Sequence, residues 1–454
     1  MSRLFGTDGI RATANVFPMS PDLMLKLGQS IGIYFKRHYA HPKIVIGKDT
    51  RRSGYMLEQA IGAGICSVGV DVLQLGPLPT PGIAYLTRGL RACAGIVISA
   101  SHNPFGDNGI KIFDHEGYKL PDDVEDELES MLGKDLSHHL PTGVGIGSAK
   151  RIEDSKGQYA VFLKEQFPKN LTLDGLRIVL DCANGASYVV APKVFEELGA
   201  ELFCLGVNPN GKNINDQCGA LHPSKLREQV KLYKADIGLA FDGDADRLII
   251  VDSEGEVIDG DQVLAICGTH MIQNGTLAKE TVVATIMSNM GLEIALGRFG
   301  GKVVRTKVGD RYVVEEMRRS NYNLGGEQSG HLIFRDCSTT GDGILAALNL
   351  LKIMVLTAKS VAELKQCMEH LPQILKNLRV SSKIPLENLP KLSQMISTMT
   401  KALGERGRII FRYSGTENLA RIMVEGENSA QIEAFAEELS RQAEIEIAGA
   451  TVKA

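Results

Sequence analysis

Short apolar runs alternate along this chain with longer stretches whose apolar residues recur at every third or fourth position, and the alternation comes round three times. In the first round Lys43-Ile-Val-Ile46 reads as a strand, residues 53–68 as a helix and Gly69-Val-Asp-Val-Leu73 as a second strand. Ala94 to Ser99 follows, with Ile96, Val97 and Ile98 forming the β-branched run expected of a fully buried strand. The order returns as Arg177-Ile-Val-Leu180, a helix near Pro192 to Leu198, Gly199 to Phe203 and Ala235 to Phe241. It returns again as Thr281 to Thr285, a helix near Leu292 to Arg298, Gly301 to Val304 and Tyr322 to Gly326. Strands alternating with helices predict parallel sheets joined by right-handed crossovers, and the glycine after each helix is placed to cap it. Ahead of the first round, Ser20-Pro21 opens a helix with an N-cap serine and a proline at its first position. Leu23, Leu27, Ile31 and Tyr34 share one face of it.

The last strand of each round runs into an unusual polar loop, at Ser101, at Asp242 and at Glu327. Three equivalent loops can converge on one place. After about residue 372 the pattern changes to strands, among them Arg408-Ile-Ile-Phe-Arg412 and Ala420-Arg-Ile-Met-Val-Glu425, and a closing helix capped by Ser429. The expected fold class is α/β: three similar mixed α/β sheet domains plus a C-terminal α+β domain around one central cleft. The expected boundaries are 1–155, 156–256, 257–372 and 373–454.

Composition narrows the class of partner. The chain has 454 residues, 44% hydrophobic and 23% charged, an ordinary globular balance at a length that calls for several domains. A formal net charge of −4 gives no basic footprint for nucleic acid or an anionic membrane. Eight cysteines lie scattered without a Cys-x-x-Cys pair, which suits reduced thiols better than a disulfide framework. Met1 to Gly6 has no apolar leader, and the most apolar run, Ile344 to Leu356, is short of a bilayer span and carries Asn349 and Lys352. That run reads as a core helix, and the expected location is cytoplasmic, with neither nucleic acid nor membrane as partner.

The loops carry the chemistry. Ser101 stands at the carboxyl end of its strand in Ser99-Ala-Ser-His-Asn-Pro104, the edge where open α/β sheets bind ligands, so its hydroxyl is a candidate nucleophile or phosphate carrier. A capped surface turn has the same composition. Asp242-Gly-Asp-Ala-Asp-Arg247 places carboxylates at every second position, which turns Asp242, Asp244 and Asp246 to one side as hard oxygen ligands for Mg²⁺. An EF-hand is excluded, because Arg247 and Ser253 stand where that loop needs glycine and glutamate. Gly325-Gly-Glu-Gln-Ser-Gly-His331 offers Glu327 and Ser329 as partners for sugar hydroxyls. Arg412-Tyr-Ser-Gly-Thr-Glu-Asn418, with Arg421 beyond, combines guanidinium, hydroxyls and a glycine in the manner of an anion site.

Taken together and in this order, the four loops resemble the α-D-phosphohexomutase superfamily over essentially the whole chain. Phe5-Gly-Thr-Asp-Gly-Ile-Arg11, Thr306-Lys-Val-Gly-Asp-Arg-Tyr312 and Gln328 resemble its branch acting on glucosamine phosphates. The resemblance implies that Ser101 is phosphorylated and that Asp242, Asp244 and Asp246 hold one Mg²⁺ with it. It further implies that Glu327 and Ser329 bind the sugar and that Arg412, Ser414, Gly415, Thr416 and Arg421 hold the non-reacting phosphate. Arg11, His102, Lys111, Arg247 and His331 complete the expected catalytic set. The implied reaction interconverts glucosamine 6-phosphate and glucosamine 1-phosphate through a phosphoserine and glucosamine 1,6-bisphosphate, feeding amino-sugar nucleotide and cell-wall synthesis. The alternative is the same chemistry on mannose or glucose phosphates. A phosphatase and a non-catalytic sugar-phosphate sensor are readings from other classes. The expected partner is a small-molecule sugar phosphate, and a homodimer is compatible with the sequence. Discrimination at C2 is expected from Gln328 or from Thr306 to Arg311. Tyr413, Asn418 and Ala12 depart from the usual motifs, the first two where proline is usual.

Overall fold

In each of the three repeats the strands are laid down in one order. The first sheet contains β1 (Ile10–Thr13), β2 (Lys43–Lys48), β3 (Asp71–Pro77), β4 (Ala94–Ile98), β5 (Asp107–Asp114) and β6 (Ala149–Arg151), ordered β1-β5-β4-β2-β3-β6. The second contains β7 (Arg177–Asp181), β8 (Glu201–Leu205), β9 (Ile237–Phe241), β10 (Leu248–Asp252) and β11 (Val257–Ile258), ordered β11-β10-β9-β7-β8. The third contains β12 (Thr281–Thr285), β13 (Lys302–Thr306), β14 (Leu324–Gly326) and β15 (Leu332–Phe334), ordered β13-β12-β14-β15. In all three, a first strand pairs in parallel with a second on one side and a third on the other, and a fourth returns antiparallel to the third. The sheets are therefore mixed, because a tight reversal rather than a helical crossover follows each third strand. This computed structural model describes residues 3–6, 8–414 and 418–451.

The buried faces follow the apolar pattern. β4 is buried along its whole length, and the helix Pro21–His38 presents Met24, Leu27 and Ile31 to the core with Leu23 and Tyr34 at its margin. Ser20 stands at the N-cap in extended conformation but makes no side-chain capping bond. Gly69 and Gly199 follow their helices in the left-handed region, as capping requires; in the third repeat that role falls to Gly300 rather than Gly301. The helix Gly343–Thr357 is mostly buried, and no single helix among the described residues is long and apolar enough to cross a membrane. All eight cysteines are free thiols, four of them buried.

The chain divides into two compact units. One contains the three repeats up to Met287 and again from Phe299 to Cys367; the other joins Ser288–Arg298 to the chain from Met368 onward. Within this second unit β16 (Gln373–Arg379), β17 (Arg408–Tyr413) and β18 (Leu419–Glu425) form an antiparallel sheet ordered β16-β18-β17. Asn289 explains why the segment of the third repeat belongs there: its amide donates to Leu371 O at 2.9 Å and accepts from Leu371 N at 3.1 Å, while Met290 N donates to Glu425 at 2.8 Å. Two expectations are corrected here. A helix, Pro390–Leu403, lies between β16 and β17 where only strands were expected, with Leu392 and Met399 buried on its inner face. The final helix, Ser429–Thr451, is capped by the Asn428 side chain accepting from Gln431 N at 3.1 Å, not by Ser429.

Asp342 couples the fold to pH. It caps the helix Gly343–Thr357 by accepting from Leu345 N at 3.0 Å, it also accepts from Tyr159 Oη at 2.7 Å, and burial pushes its carboxyl up to about 6. A folded-state value above the unfolded one means that its contribution is complete below the unfolded value and is lost as pH rises through about 6. Asp342→Asn keeps one oxygen to accept from Leu345 N and turns its amide N–H toward Tyr159 Oη, whose hydroxyl can accept it. It is expected to stabilise the protein at pH 8 by about 1–3 kcal/mol and to give no gain near pH 4. Thermal unfolding of both proteins at the two pH values checks this, and an equal shift at both would contradict it.

Candidate active site

The hairpin reversals after β4, β9 and β14 place the three polar loops at the carboxyl edges of their sheets, and the first unit brings them together. The middle loop lies at the centre. Thr80 N donates to Asp244 O at 3.0 Å, Ala186 N to Gly243 O at 2.8 Å and Gly343 N to Ala245 O at 3.0 Å, so backbone from three directions grips it. Gly243 is required by closeness: a Cβ there would lie 2.5 Å from the carbonyl oxygen of Ser101. From the third repeat Gly330 O accepts from Leu248 N at 2.9 Å.

Ser101, 2% exposed, donates from Oγ to Asp242 Oδ2 at 2.6 Å, and His102 Nδ1 lies 3.2 Å from the same Oγ. Since the hydroxyl hydrogen is given to Asp242, hydrogen-bond logic makes His102 Nδ1 the donor. Burial, with Arg247 and Arg11 nearby, pushes that imidazole down to about 4. Asp242, Asp244 and Asp246 are all buried, and each offers an oxygen within 4.8 Å of the other two. Lys111 Nζ lies 3.1 Å from Asp244 and 3.2 Å from Asp246, and 3.3 Å from Asp8. His331 Nδ1 lies 3.6 Å from Asp246, and its Nε2 lies 3.6 Å from Asp310. Arg247 Nε is 3.9 Å from Asp246, and Arg11 pairs with Asp8 at 2.8 Å.

The cations present do not balance the three carboxylates. Burial opposes ionisation of Asp246, but Lys111, His331 and Arg247 outweigh it and hold that carboxyl well below its usual range. Asp242 goes the other way, driven well above its usual range by burial and by Asp246 and Asp244. Burial also works against charge on His331, yet Asp246, Asp310 and Glu327 raise it to about 8. Asp244 Oδ1 is buried without a hydrogen-bond partner. Hard carboxylate oxygens, one of them orphaned, beside a carboxyl that cannot ionise unaided are a donor set that fits a divalent cation.

Glu327 is half-buried and anchored through Oε1, which accepts from Gly309 N at 3.0 Å, and burial raises its carboxyl. Ser329 is exposed at the tip of the same turn. Gln328 is not presented as a free recognition group: its amide donates to Asp259 at 3.1 Å. Arg311 is similarly engaged, with Asp122 at 2.7 Å, Glu315 at 3.2 Å and Leu120 O at 2.9 Å. Several members of the cluster escaped sequence reasoning. Thr80 Oγ1 donates to Asp244 at 2.7 Å, and Lys119 joins Asp8 to Asp310, the latter at 2.6 Å. Each is a single residue without a local motif; only the acidic residue in Gly309-Asp-Arg311 and the one in Phe5-Gly-Thr-Asp8 stood in segments already singled out.

The second unit carries its own cationic loop. Arg412 on β17 and Arg421 on β18 are direct cross-strand partners, an arrangement that like charge disfavours. Burial and the Arg421 charge lower the Arg412 guanidinium, and its Nε is buried without a hydrogen-bond partner. Ser414 is buried, its N–H donates to Leu419 O at 2.8 Å, and Lys383, missed in the sequence, donates to Ser414 O at 2.7 Å. Tyr413 packs edge-on against Phe411, with ring centroids 5.2 Å apart. Gly415 and Thr416 lie outside the described residues.

Four domain families of phosphoglucomutase/phosphomannomutase match this chain in order. The α/β/α domains I, II and III match residues 2–138, 158–255 and 259–371, and the C-terminal domain matches residues 375–442. A phosphoglucosamine mutase of Anaeromyxobacter sp. is 56% identical over 96% of this chain and 94% of its own, and one of Geotalea daltonii is 54% identical over 100% of both. The chain belongs to the phosphoglucosamine mutase family. It is thus an isomerase of carbohydrate metabolism, a phosphohexomutase, and a metal ion and sugar phosphates go with that family. Solved phosphohexomutase structures share the fold. A phosphoglucomutase/phosphomannomutase family protein of Burkholderia thailandensis aligns with TM-score 0.83 at 24% identity, covering 98% of this chain and 97% of its own. An Aspergillus fumigatus N-acetylphosphoglucosamine mutase, solved with GlcNAc-6P and magnesium, aligns with TM-score 0.68 at 15% identity, covering 98% and 96%.

Asp244→Asn keeps the acceptor for Thr80 and removes one charge from the triad. The variant is expected to bind Mg²⁺ about tenfold or more weakly, as loss of a charge-assisted contact implies, with the metal-free unfolding midpoint unchanged or raised. Titration calorimetry and thermal unfolding check both; unchanged affinity with a lowered midpoint would make Asp244 structural.

Proposed function

We propose that this phosphohexomutase interconverts glucosamine 6-phosphate and glucosamine 1-phosphate with Ser101 as the phosphoryl carrier. The observation that carries the reading is Ser101 Oγ, buried and 2.6 Å from Asp242 at the edge of the aspartate triad. Phosphoserine gives its phosphoryl group to O1 of glucosamine 6-phosphate, the O1 proton leaving as the P–O bond forms and the serine oxygen being released. The resulting 1,6-bisphosphate turns over and returns its 6-phosphoryl group to Ser101 Oγ, leaving glucosamine 1-phosphate. Asp242, Asp244 and Asp246 would hold one Mg²⁺, which when bound offsets negative charge on the phosphoryl oxygens.

This chain's own residues do the rest. Lys111, Arg247 and Arg11 set fixed positive charge around the acceptor loop, where preorganised charge lowers the barrier most. His102 Nδ1 donates a hydrogen bond to Ser101 Oγ and helps to orient it, and Lys111 with His331 holds Asp246 ionised. Glu327 and Ser329 offer an acceptor and a hydroxyl to the sugar. Arg412, Ser414 and Arg421, with Gly415 and Thr416, would take the phosphate that is not reacting. The proposed partner is a small-molecule sugar phosphate in the cytoplasm; the reading calls for neither nucleic acid nor membrane and is compatible with a homodimer.

Assay of glucosamine, glucose and mannose phosphates side by side, each with catalytic bisphosphate, tests the substrate. A single polar contact at C2 gives a preference for glucosamine phosphate of about ten- to two-hundredfold in kcat/KM, with measurable leakage onto glucose phosphate. Equal or better use of glucose or mannose phosphate would replace this reading with the phosphoglucomutase/phosphomannomutase one. Arg412→Ala is expected to lower kcat as well as raise KM, because contacts to the remote phosphate align the reacting one. A change confined to KM would show that this contact binds ground and transition states equally.

A further inference from the structure

Ser101 holds a left-handed backbone, φ +49°, which a non-glycine residue keeps only where its surroundings over-determine it. Those surroundings are residues without a role so far. Arg51 is wholly buried beneath the loop; one arm of its guanidinium pairs with Asp49, and Nη2 donates to Ser101 O at 3.2 Å and to Asn103 O. Asp49, equally buried, accepts from Ser99 Oγ at 2.6 Å and from Arg51 N at 2.9 Å. Ser99 Oγ in turn accepts from Ser101 N at 2.9 Å. From the second repeat Asn215, itself at φ +58°, donates from Nδ2 to the same two carbonyls, Ser101 O at 2.9 Å and Asn103 O at 3.1 Å. Both carbonyls are thus held by two donors, and the N–H of Ser101 is held by a third group. Such a set restrains the backbone at the serine and one residue beyond His102, leaving Oγ to face Asp242.

A buried arginine and aspartate are weak evidence for stability, since taking both charges out of water costs about what their attraction returns. Their geometry here is aimed at one place. We propose that Arg51 and Asn215, with Asp49 and Ser99, are positioning residues that hold Ser101 in the strained conformation from which its Oγ exchanges the phosphoryl group. The inference rests on the reading of Ser101 as phosphoryl carrier. It assigns the four residues to alignment of the nucleophile, not to contact with substrate or metal.

Arg51→Ala leaves Asp49 buried and unpaired and is expected to lower stability too, so the half-buried Asn215 carries the test. Asn215→Ala is expected to unfold within a few degrees of the parent, to bind Mg²⁺ as the parent does, and to leave KM for glucosamine 6-phosphate within about twofold. Its kcat should fall by about ten- to a hundredfold, the scale of effect of a small misplacement of a reacting group. Asn215→Asp should fall further, because carboxylate oxygens would face two carbonyl oxygens. Intact-mass measurement on mixing with the bisphosphate should show phosphoserine forming correspondingly more slowly in both. A kcat for Asn215→Ala within twofold of the parent, or a loss that only follows loss of folded protein or a rise in KM, would overturn the proposal. Ser101→Ala run alongside separates the two claims. An inactive Ser101→Ala beside a fully active Asn215→Ala overturns the clamp alone, and an active Ser101→Ala overturns the carrier reading on which it rests.

Discussion

Three carboxylates held out of water with oxygens inside 4.8 Å of one another would, when all ionised, repel by about 3.5 kcal/mol or more per pair even at an effective dielectric near 20. Nothing in the fold of the second sheet demands that repulsion, and most of what surrounds it is arranged against it. Lys111 reaches in from the first sheet, His331 from the third, and Arg247 from the loop itself. They suffice for Asp246 and not for Asp242, whose carboxyl stays far above its ordinary range. The deficit is the feature that suits the cluster to a cation better than to a buried salt-bridge network, and it lies beside the hydroxyl of Ser101.

The topology is what allows such a cluster to exist. Because each repeat ends its third strand in a tight antiparallel return, three short loops emerge at carboxyl edges with their polar groups exposed to one another instead of being spent on crossovers. Backbone bonds from Thr80, Ala186 and Gly343 then fix the middle loop, so the side chains carry charge while the main chain carries position. The second unit solves a related problem with the opposite sign. Arg412 and Arg421 face each other across two strands, a pairing that an anion would relieve.

Much of this was legible in the residues because the chemistry is written in contiguous motifs. Ser101 with its Asn-Pro turn and the alternating aspartates each stand in a short contiguous motif, and the structure sets the two loops, 141 residues apart, side by side. The repeat pattern likewise showed the three α/β units, since apolar periodicity reports burial directly. What stayed hidden depends on tertiary contact or on one-residue register. Arg51, Asn215 and Thr80 are isolated residues whose partners lie far along the chain. Periodicity could show a helix near Leu292 but not that Asn289 would bind it to Leu371 and so place it in the second unit. Pro390–Leu403 does carry its signal, with Leu392, Met395, Ile396, Met399 and Leu403 at helical spacing on its inner face, whereas the cap of the last helix falls one residue earlier than Ser429 because the Asn428 carboxamide reaches Gln431 N.

The central claim is that the charge-deficient triad exists to move a phosphoryl group between Ser101 and a sugar. Chasing isotopically labelled phosphoenzyme with unlabelled glucosamine 6-phosphate, with and without Mg²⁺, tests it most directly. The account predicts that label leaves Ser101 for glucosamine bisphosphate and then glucosamine 1-phosphate, only when the cation is present and at no more than one label per chain. Label that stays on the protein, or that emerges as inorganic phosphate while the sugar remains unlabelled, would contradict it.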